Sequence, residues 1–117
     1  MSMNNVEFKF DNTRVLVVGG SRGIGNSVAD EFSKSGAEVH VVSRNEPEDR
    51  VKYFHHKCDI RKTNDIKNLF QKLRLDDKTP DIVVNCAATN LCEGIEKITE
   101  EEWERLIQTN LKSYFFI

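Results

Sequence analysis

Seven residues constrain this chain more than any others: Gly19-Gly20-Ser21-Arg22-Gly23-Ile24-Gly25, set between two segments of different periodicity. Before them, residues 13–18 (TRVLVV) form a β-branched, apolar run that halts at Gly19 and Gly20, as a short strand buried on both faces does. After them, Ile24, Val28, Ala29 and Phe32 recur at helical spacing as far as Gly36, which is able to adopt the left-handed conformation that closes a helix. In this order, strand, glycine turn and helix bring unpaired amides and the positive end of a helix dipole next to backbone without side chains. That is the local chemistry of a pyrophosphate cradle. The same glycines outside such a context would read as a flexible turn.

Residues 38–42 (EVHVV) read as a second strand. About eight residues separate it from a third at 51–57, a link too short for a full crossover helix and one that leaves this side of the pocket open. Thr63 is placed to cap a helix carrying Ile66, Leu69, Phe70 and Leu73 on one face, and Thr79-Pro80-Asp81 breaks it ahead of a fourth strand at 82–86. Thr99 and Glu102 have the spacing of a capping box for a last helix whose apolar members are Trp103, Leu106, Ile107, Leu111 and Phe115. Residues 1–12 read as a polar arm, and no repeat, low-complexity tract or linker interrupts residues 13–117. Strands alternating with helices imply an α/β domain over 1–117 with a parallel sheet, its ligands lying beyond the carboxyl ends of the strands.

Composition narrows the partners. Seventeen basic against nineteen acidic residues give a formal charge of −2, so no diffuse positive field attracts nucleic acid or an anionic membrane; a phosphate must be caught locally. No apolar run approaches the ~20 residues of a membrane span, and the polar start does not resemble a signal peptide, which points to the cytoplasm. Cys58, Cys86 and Cys92 are odd in number and lack Cys-x-x-Cys spacing, so neither a disulfide framework nor a zinc ribbon is expected; Cys58 and Cys86, at strand ends, read as buried, inert thiols. His40, His55 and His56 fall on strands without a ligand set for a metal.

The glycine turn resembles that of the classical short-chain dehydrogenase/reductase family, whose Thr-Gly-x-x-x-Gly-x-Gly pattern aligns with Val18, Gly19, Gly23 and Gly25. The resemblance extends along the chain. Asp59-Ile60 matches the family's acidic-aliphatic pair after the third strand, Asn85-Cys86-Ala87-Ala88 its Asn-Asn-Ala-Gly segment, and Asn110 the asparagine of its fourth major helix. The turn and last helix look most like those of 3-oxoacyl carrier protein reductases. The resemblance implies a Rossmann-type parallel sheet, truncated after the fourth strand and its succeeding helix. It implies a dinucleotide held at Gly19, Ser21, Arg22, Gly23, Ile24 and Gly25, adenine bound by Asp59 and Ile60, and the ribose flanked by Asn85, Ala87 and Ala88. Asn110 would support a water-linked proton relay. Taken alone, Asp59 is equally a helix-entry carboxylate and Asn110 a satisfied polar residue of a helix. Val18, Cys86 and Ala88 depart from the family pattern in ways that bear on cofactor affinity, and complete loss of cofactor binding is a further reading of them.

Charge addresses the choice of cofactor. About twenty residues after a glycine turn, an NAD site usually supplies an acid to the ribose; here Ser43 and Arg44 stand there. Arg22 and Arg44 are suited to grip a 2′-phosphate, so NADP(H) is expected, the competing reading being two solvated arginines. The family's catalytic serine and Tyr-x-x-x-Lys are not found. Tyr53 and Lys57 have the spacing but lie ~13 Å apart on a strand, too far for the lysine to lower the phenol pKa. The apolar residues Leu111, Tyr114, Phe115, Phe116 and Ile117 end the chain inside a helical pattern. Two functions are compatible with this pattern. The chain is the inactive, cofactor-binding half of a homo-oligomeric NADP(H)-dependent oxidoreductase acting on a small carbonyl or alcohol, or it is a non-catalytic NADP(H)-binding module completed by a partner.

Overall fold

The computed structural model describes residues 6–45 and 52–117. Its sheet has four parallel strands, β1 (Arg14–Val18), β2 (Glu38–Ser43), β3 (Phe54–Lys57) and β4 (Ile82–Asn85), in the order β3-β2-β1-β4. Strand β1 is central, with Val17 facing Val41 on one side and Val84 on the other. Because strand side chains alternate, its apolar run feeds two cores. Val15 and Val17 pack with Val39, Val41 and Ala29 of helix α1 (Gly23–Lys34), whereas Leu16 and Val18 pack with Val42 and with Ile66, Leu69 and Leu73 of α2 (Thr63–Leu75). The two helices therefore cover opposite faces, and the uninterrupted hydrophobicity of β1 is explained by burial on both.

Helix α1 ends where Gly36 adopts φ +93°, as the sequence implies. Helix α2 starts one residue earlier than a Thr63 cap requires. Lys62 occupies the cap position, Thr63 is already helical, and no side-chain oxygen caps the helix. The turn in which Lys62 N–H donates to Asp59 O (2.9 Å) sets this start, and Asp65 reaches back to accept from Asp59 N–H (3.3 Å).

After a single 3₁₀ turn at Ile95–Lys97, the predicted capping box forms at the start of α3 (Glu100–Ile107): Glu102 N–H donates to Thr99 Oγ1, and Thr99 N–H to Glu102 Oε2. The helix then widens into a π turn, Gln108–Lys112, before α4 (Ser113–Phe116). The expected single apolar stripe is not kept. Trp103 is exposed near the start of α3, and Leu111 and Phe115 are exposed where the π turn inserts an extra residue and rotates the last helical turn out of phase. Ser113, the small residue after the π turn, is fully buried.

The amino-terminal arm is less polar in behaviour than in composition. Phe10 meets Phe32 edge-on at 4.9 Å, and its N–H donates to Ser35 O. Strand β3 begins at Phe54: Lys52 and Tyr53, expected within it, form a bend, while Val51 and residues 46–50 of the link expected before it lie outside the described residues.

Candidate functional site

The carboxyl ends of β1, β2 and β4 and the start of α1 surround a cleft of about 1280 Å³. Main-chain bonds draw them together: Gly19 N–H donates to Val42 O, Cys86 N–H to Val18 O and Cys58 N–H to Ser43 O. Three glycines shape this region, for different reasons. A Cβ on Gly25 would sit 2.1 Å from Gly19 O, and one on Gly19 2.8 Å from Ala87 N, with φ at +78°. Gly23 also has positive φ, +59°, but faces open space. The first two glycines let the chain pack upon itself; the third leaves room beside the helix start.

That helix start is prepared for an anion. Arg22, at the cap of α1, makes no side-chain cap bond, and the first turn has no acidic residue, so neither competes for the exposed amides. Ser21, Arg22 and Gly23 line the cleft. Ile24 does not: it is 80% exposed and outside the lining, between Gly23, which borders the cleft, and Gly25, which is buried. Gly25 likewise acts through packing. These features fit a dinucleotide pyrophosphate on physical grounds.

Ser43, Arg44, Asp59 and Ile60 form a second wall. Ser43 Oγ lies 2.6 Å from Asn45 O and 2.7 Å from His55 Nε2. Asp59 is held by Arg61, whose Nε donates to Oδ1 (2.9 Å) and Nη2 to Oδ2 (2.8 Å), with a further bond from Arg61 N–H. The Arg61 guanidinium holds this carboxyl below its ordinary range. Asp59 is thus neither a bare acceptor nor a helix cap; a ligand amine would use the lone pairs that Arg61 leaves. Ile60 both lines the cleft and belongs to the α2-side core.

Cys86, Ala87 and Ala88 form the third wall. Cys86 was expected to be buried but is partly exposed, since β4 ends one residue before it. Cys58 is buried, and burial raises its thiol pKa to about 11, which makes it a poor nucleophile. Asn85 stands behind this wall, its Oδ1 accepting from Ala87 N–H (3.2 Å), so it shapes the segment instead of lining the cleft. Asn110, on the π turn, holds the next stretch: its Oδ1 accepts from Thr89 N–H and its Nδ2 donates to Thr89 O, both at 2.8 Å.

Several cleft residues carry no signal in the sequence. Arg105 donates to Thr89 Oγ1 and to Asn90 O, five residues before Asn110 and one and a half helical turns away. Tyr53 donates to Asp30, which also accepts from Lys52 (3.1 Å), tying α1 to the start of β3. No motif marks these contacts, because they join residues 15 to 23 apart through unremarkable polar side chains. Burial, and then the Asp30 carboxylate, push the Tyr53 phenol up to about 12. Among the described residues, no group of three or more His, Cys, Asp and Glu side chains is arranged to hold a metal, and no helix is long and apolar enough to cross a membrane.

Residues 13–117 match the family model described as short chain dehydrogenase. The chain belongs to the short-chain dehydrogenase family. It is 31% identical to a 3beta-hydroxysteroid dehydrogenase of Mediterraneibacter gnavus, over 92% of this chain and 43% of that protein. It is also 31% identical to a 3-oxoacyl-[acyl-carrier-protein] reductase of Chlamydia muridarum, over 89% of this chain and 46% of that one. A short-chain dehydrogenase from Leptospira borgpetersenii, solved with bound NAD+, superposes with a TM-score of 0.87 at 28% identity, over 99% of this chain and 47% of that structure. The chain thus spans less than half the length of these relatives. Within the family it corresponds to the nucleotide-binding portion of the fold, with the parallel sheet expected from its glycine turn.

Proposed function

We propose that this chain is the cofactor-binding portion of an NADP(H)-dependent oxidoreductase that moves hydride between nicotinamide and a carbonyl or alcohol carbon. The observation that carries the choice of NADP(H) is the cleft wall at the end of β2. Ser43 and Arg44 line it with no carboxylate at either position, and Arg22 lines the same cleft from the glycine turn. A guanidinium pairs with phosphate oxygens through two parallel hydrogen bonds, whereas an acid at position 43 or 44 would repel them. When bound, the nicotinamide supplies or accepts the hydride. The chain's own residues bind and orient: the α1 amides with Ser21 and Gly23 take the pyrophosphate, Asp59 and Ile60 the adenine, and the segment 86–88 borders the ribose.

The proton donor has to come from elsewhere, because both phenols in this sequence are engaged. Tyr53 donates to Asp30, and the single phenol proton of Tyr114 is shared between Ala87 O (3.1 Å) and Asn85 O (3.3 Å). The same facts support the second reading, a module that binds NADP(H) without turnover. Titrating NADPH and NADH into the wild type and Arg44→Asp tests the cofactor choice. NADPH should bind more tightly to the wild type, and the variant should lose or reverse that preference; an unchanged preference rejects it. Steady oxidation of NADPH with a panel of ketones would then reject the binding-module reading.

A further inference from the structure

We propose that His55 is a positioning residue for cofactor choice: by holding Ser43, it fixes the turn that presents Arg44 to the ribose phosphate of NADP(H). This rests on the NADP(H) reading above and adds to it a residue from a different strand.

The inference starts from proton accounting. Ser43 Oγ lies 2.6 Å from Asn45 O and 2.7 Å from His55 Nε2. Two oxygens that close need a proton between them, and a carbonyl has none to give. The single hydroxyl proton of Ser43 therefore goes to Asn45 O. The contact with His55 then requires a proton on Nε2, donated to a lone pair of Ser43 Oγ. The neutral Nε2–H tautomer and the imidazolium both meet that requirement.

The Ser43–Asn45 bond bridges two residues and encloses Arg44, a local side-chain-to-backbone bond that restricts the intervening backbone. His55 anchors the bridge from β3. It faces Val41 across the parallel pair β2–β3, which places it on the same sheet face as Ser43, two residues further along β2. Ser43, Arg44 and His55 all line the cleft that Arg22 also borders. Ser43 has thus spent its only proton within the turn and has none for a ligand phosphate. The phosphate falls to the guanidinium, and the guanidinium's backbone depends on His55 through Ser43.

The ratio of NADPH to NADH affinity, measured by fluorescence titration of the purified protein, tests the inference in wild type, His55→Gln, His55→Leu, Ser43→Ala and Arg44→Ala. Leucine removes the donor, and glutamine keeps an amide N–H able to replace it. Loss of one hydrogen bond that orders a charged group should lower the ratio about three- to tenfold in His55→Leu and in Ser43→Ala. His55→Gln should keep it near wild type, and adding His55→Leu to Arg44→Ala should change it no further. An equal loss for both cofactors would make His55 merely structural, and an undiminished effect in the Arg44→Ala background would mean that it acts without Arg44. Either result overturns the inference. Ser43→Ala tests the same link independently should His55→Leu fold poorly. A wild type without NADPH preference would reject the underlying reading; a wild-type preference that survives both His55→Leu and Ser43→Ala would reject this inference alone.

Discussion

The Asn110 carboxamide pairs with the backbone of Thr89 as a neighbouring strand would, accepting from its N–H and donating to its C=O at 2.8 Å each. One asparagine in a widened helical turn thereby fixes the chain leaving β4, while Arg105 secures Thr89 Oγ1 and Asn90 O from the preceding helix. These two bonds leave one amide hydrogen and one lone pair of Asn110 unused by Thr89. Asn110→Ala removes both bonds and should cost about 1–2 kcal/mol of stability, given their partial exposure. Asn110→Asp should cost more above pH 5, where a carboxylate oxygen would face Thr89 O, and should recover partly on acidification. Urea unfolding of the three proteins at pH 7 and pH 4 checks this; equal losses for both variants at both pH values would contradict it.

The three glycines of the fingerprint should not be equivalent. Gly25→Ala places a Cβ 2.1 Å from backbone oxygen and should abolish folding of the turn or dinucleotide binding altogether. Gly19→Ala meets Ala87 N at 2.8 Å and combines that contact with an unfavourable φ, so a large but smaller loss is expected. Gly23→Ala meets no atom, and only its positive φ opposes it, a cost of about 1–2 kcal/mol. Thermal melts with and without NADPH would establish the order, and Gly23→Ala proving the most damaging would overturn it.

These contrasts show which parts of the fold a sequence exposes. The burial of β1 on both faces, the stop at Gly36 and the Thr99–Glu102 box are local, each written in neighbouring residues whose chemistry allows few alternatives. The phase shift in the last helix is not local. Nothing in Gln108–Lys112 announces a π turn, so the spacing of Leu111 and Phe115 implies a buried stripe, yet both are exposed. The site divides in the same way. The glycine turn and Arg44 are visible as motif and charge, whereas the His55–Ser43 contact depends on which faces of adjacent strands coincide, and the Arg61 grip on Asp59 on how one short loop turns back on itself.

Tyr53 provides a direct check on the rejected Tyr53-x-x-x-Lys57 pair. Its phenol donates to Asp30 and is raised to about 12, chiefly by burial and then by that carboxylate, the opposite of what proton donation to a substrate requires. Tyr53→Phe should lower stability by about 1 kcal/mol through loss of the bond. In an active form of the enzyme, kcat should stay within about twofold of wild type, since a general acid is worth ~10²–10⁴-fold. A hundredfold fall in kcat with unchanged stability would restore Tyr53 as a catalytic candidate.

On the α2 side of the sheet, Glu38, His40 and His56 form a chain that should govern acid sensitivity. His40 is buried, with Nε2 2.8 Å from Glu38 Oε1 and Nδ1 2.8 Å from His56 Nε2, and its ring stacks on those of Phe54 and His56. The bond from His40, followed by that from Arg14, lowers Glu38 to about 2; burial first, then the neighbouring charges, lowers His56 to about 4. Both shifts act in the same direction. From about pH 6.5 down to 4 the unfolded chain takes up a proton at His56 that the folded chain refuses, and from about 4.5 down to 2 the same holds for Glu38. Stability should therefore fall as pH falls, beginning near 6.5, with each group limited to about 1.4 kcal/mol per pH unit. His56→Gln keeps an N–H for His40 Nδ1 but cannot titrate, so it should flatten the decline between pH 6.5 and 4.5 and leave the steeper loss below 4.5. Urea unfolding at half-unit steps from pH 7 to 3 separates the two ranges, and an unaltered slope in His56→Gln above pH 4.5 would remove His56 from this account.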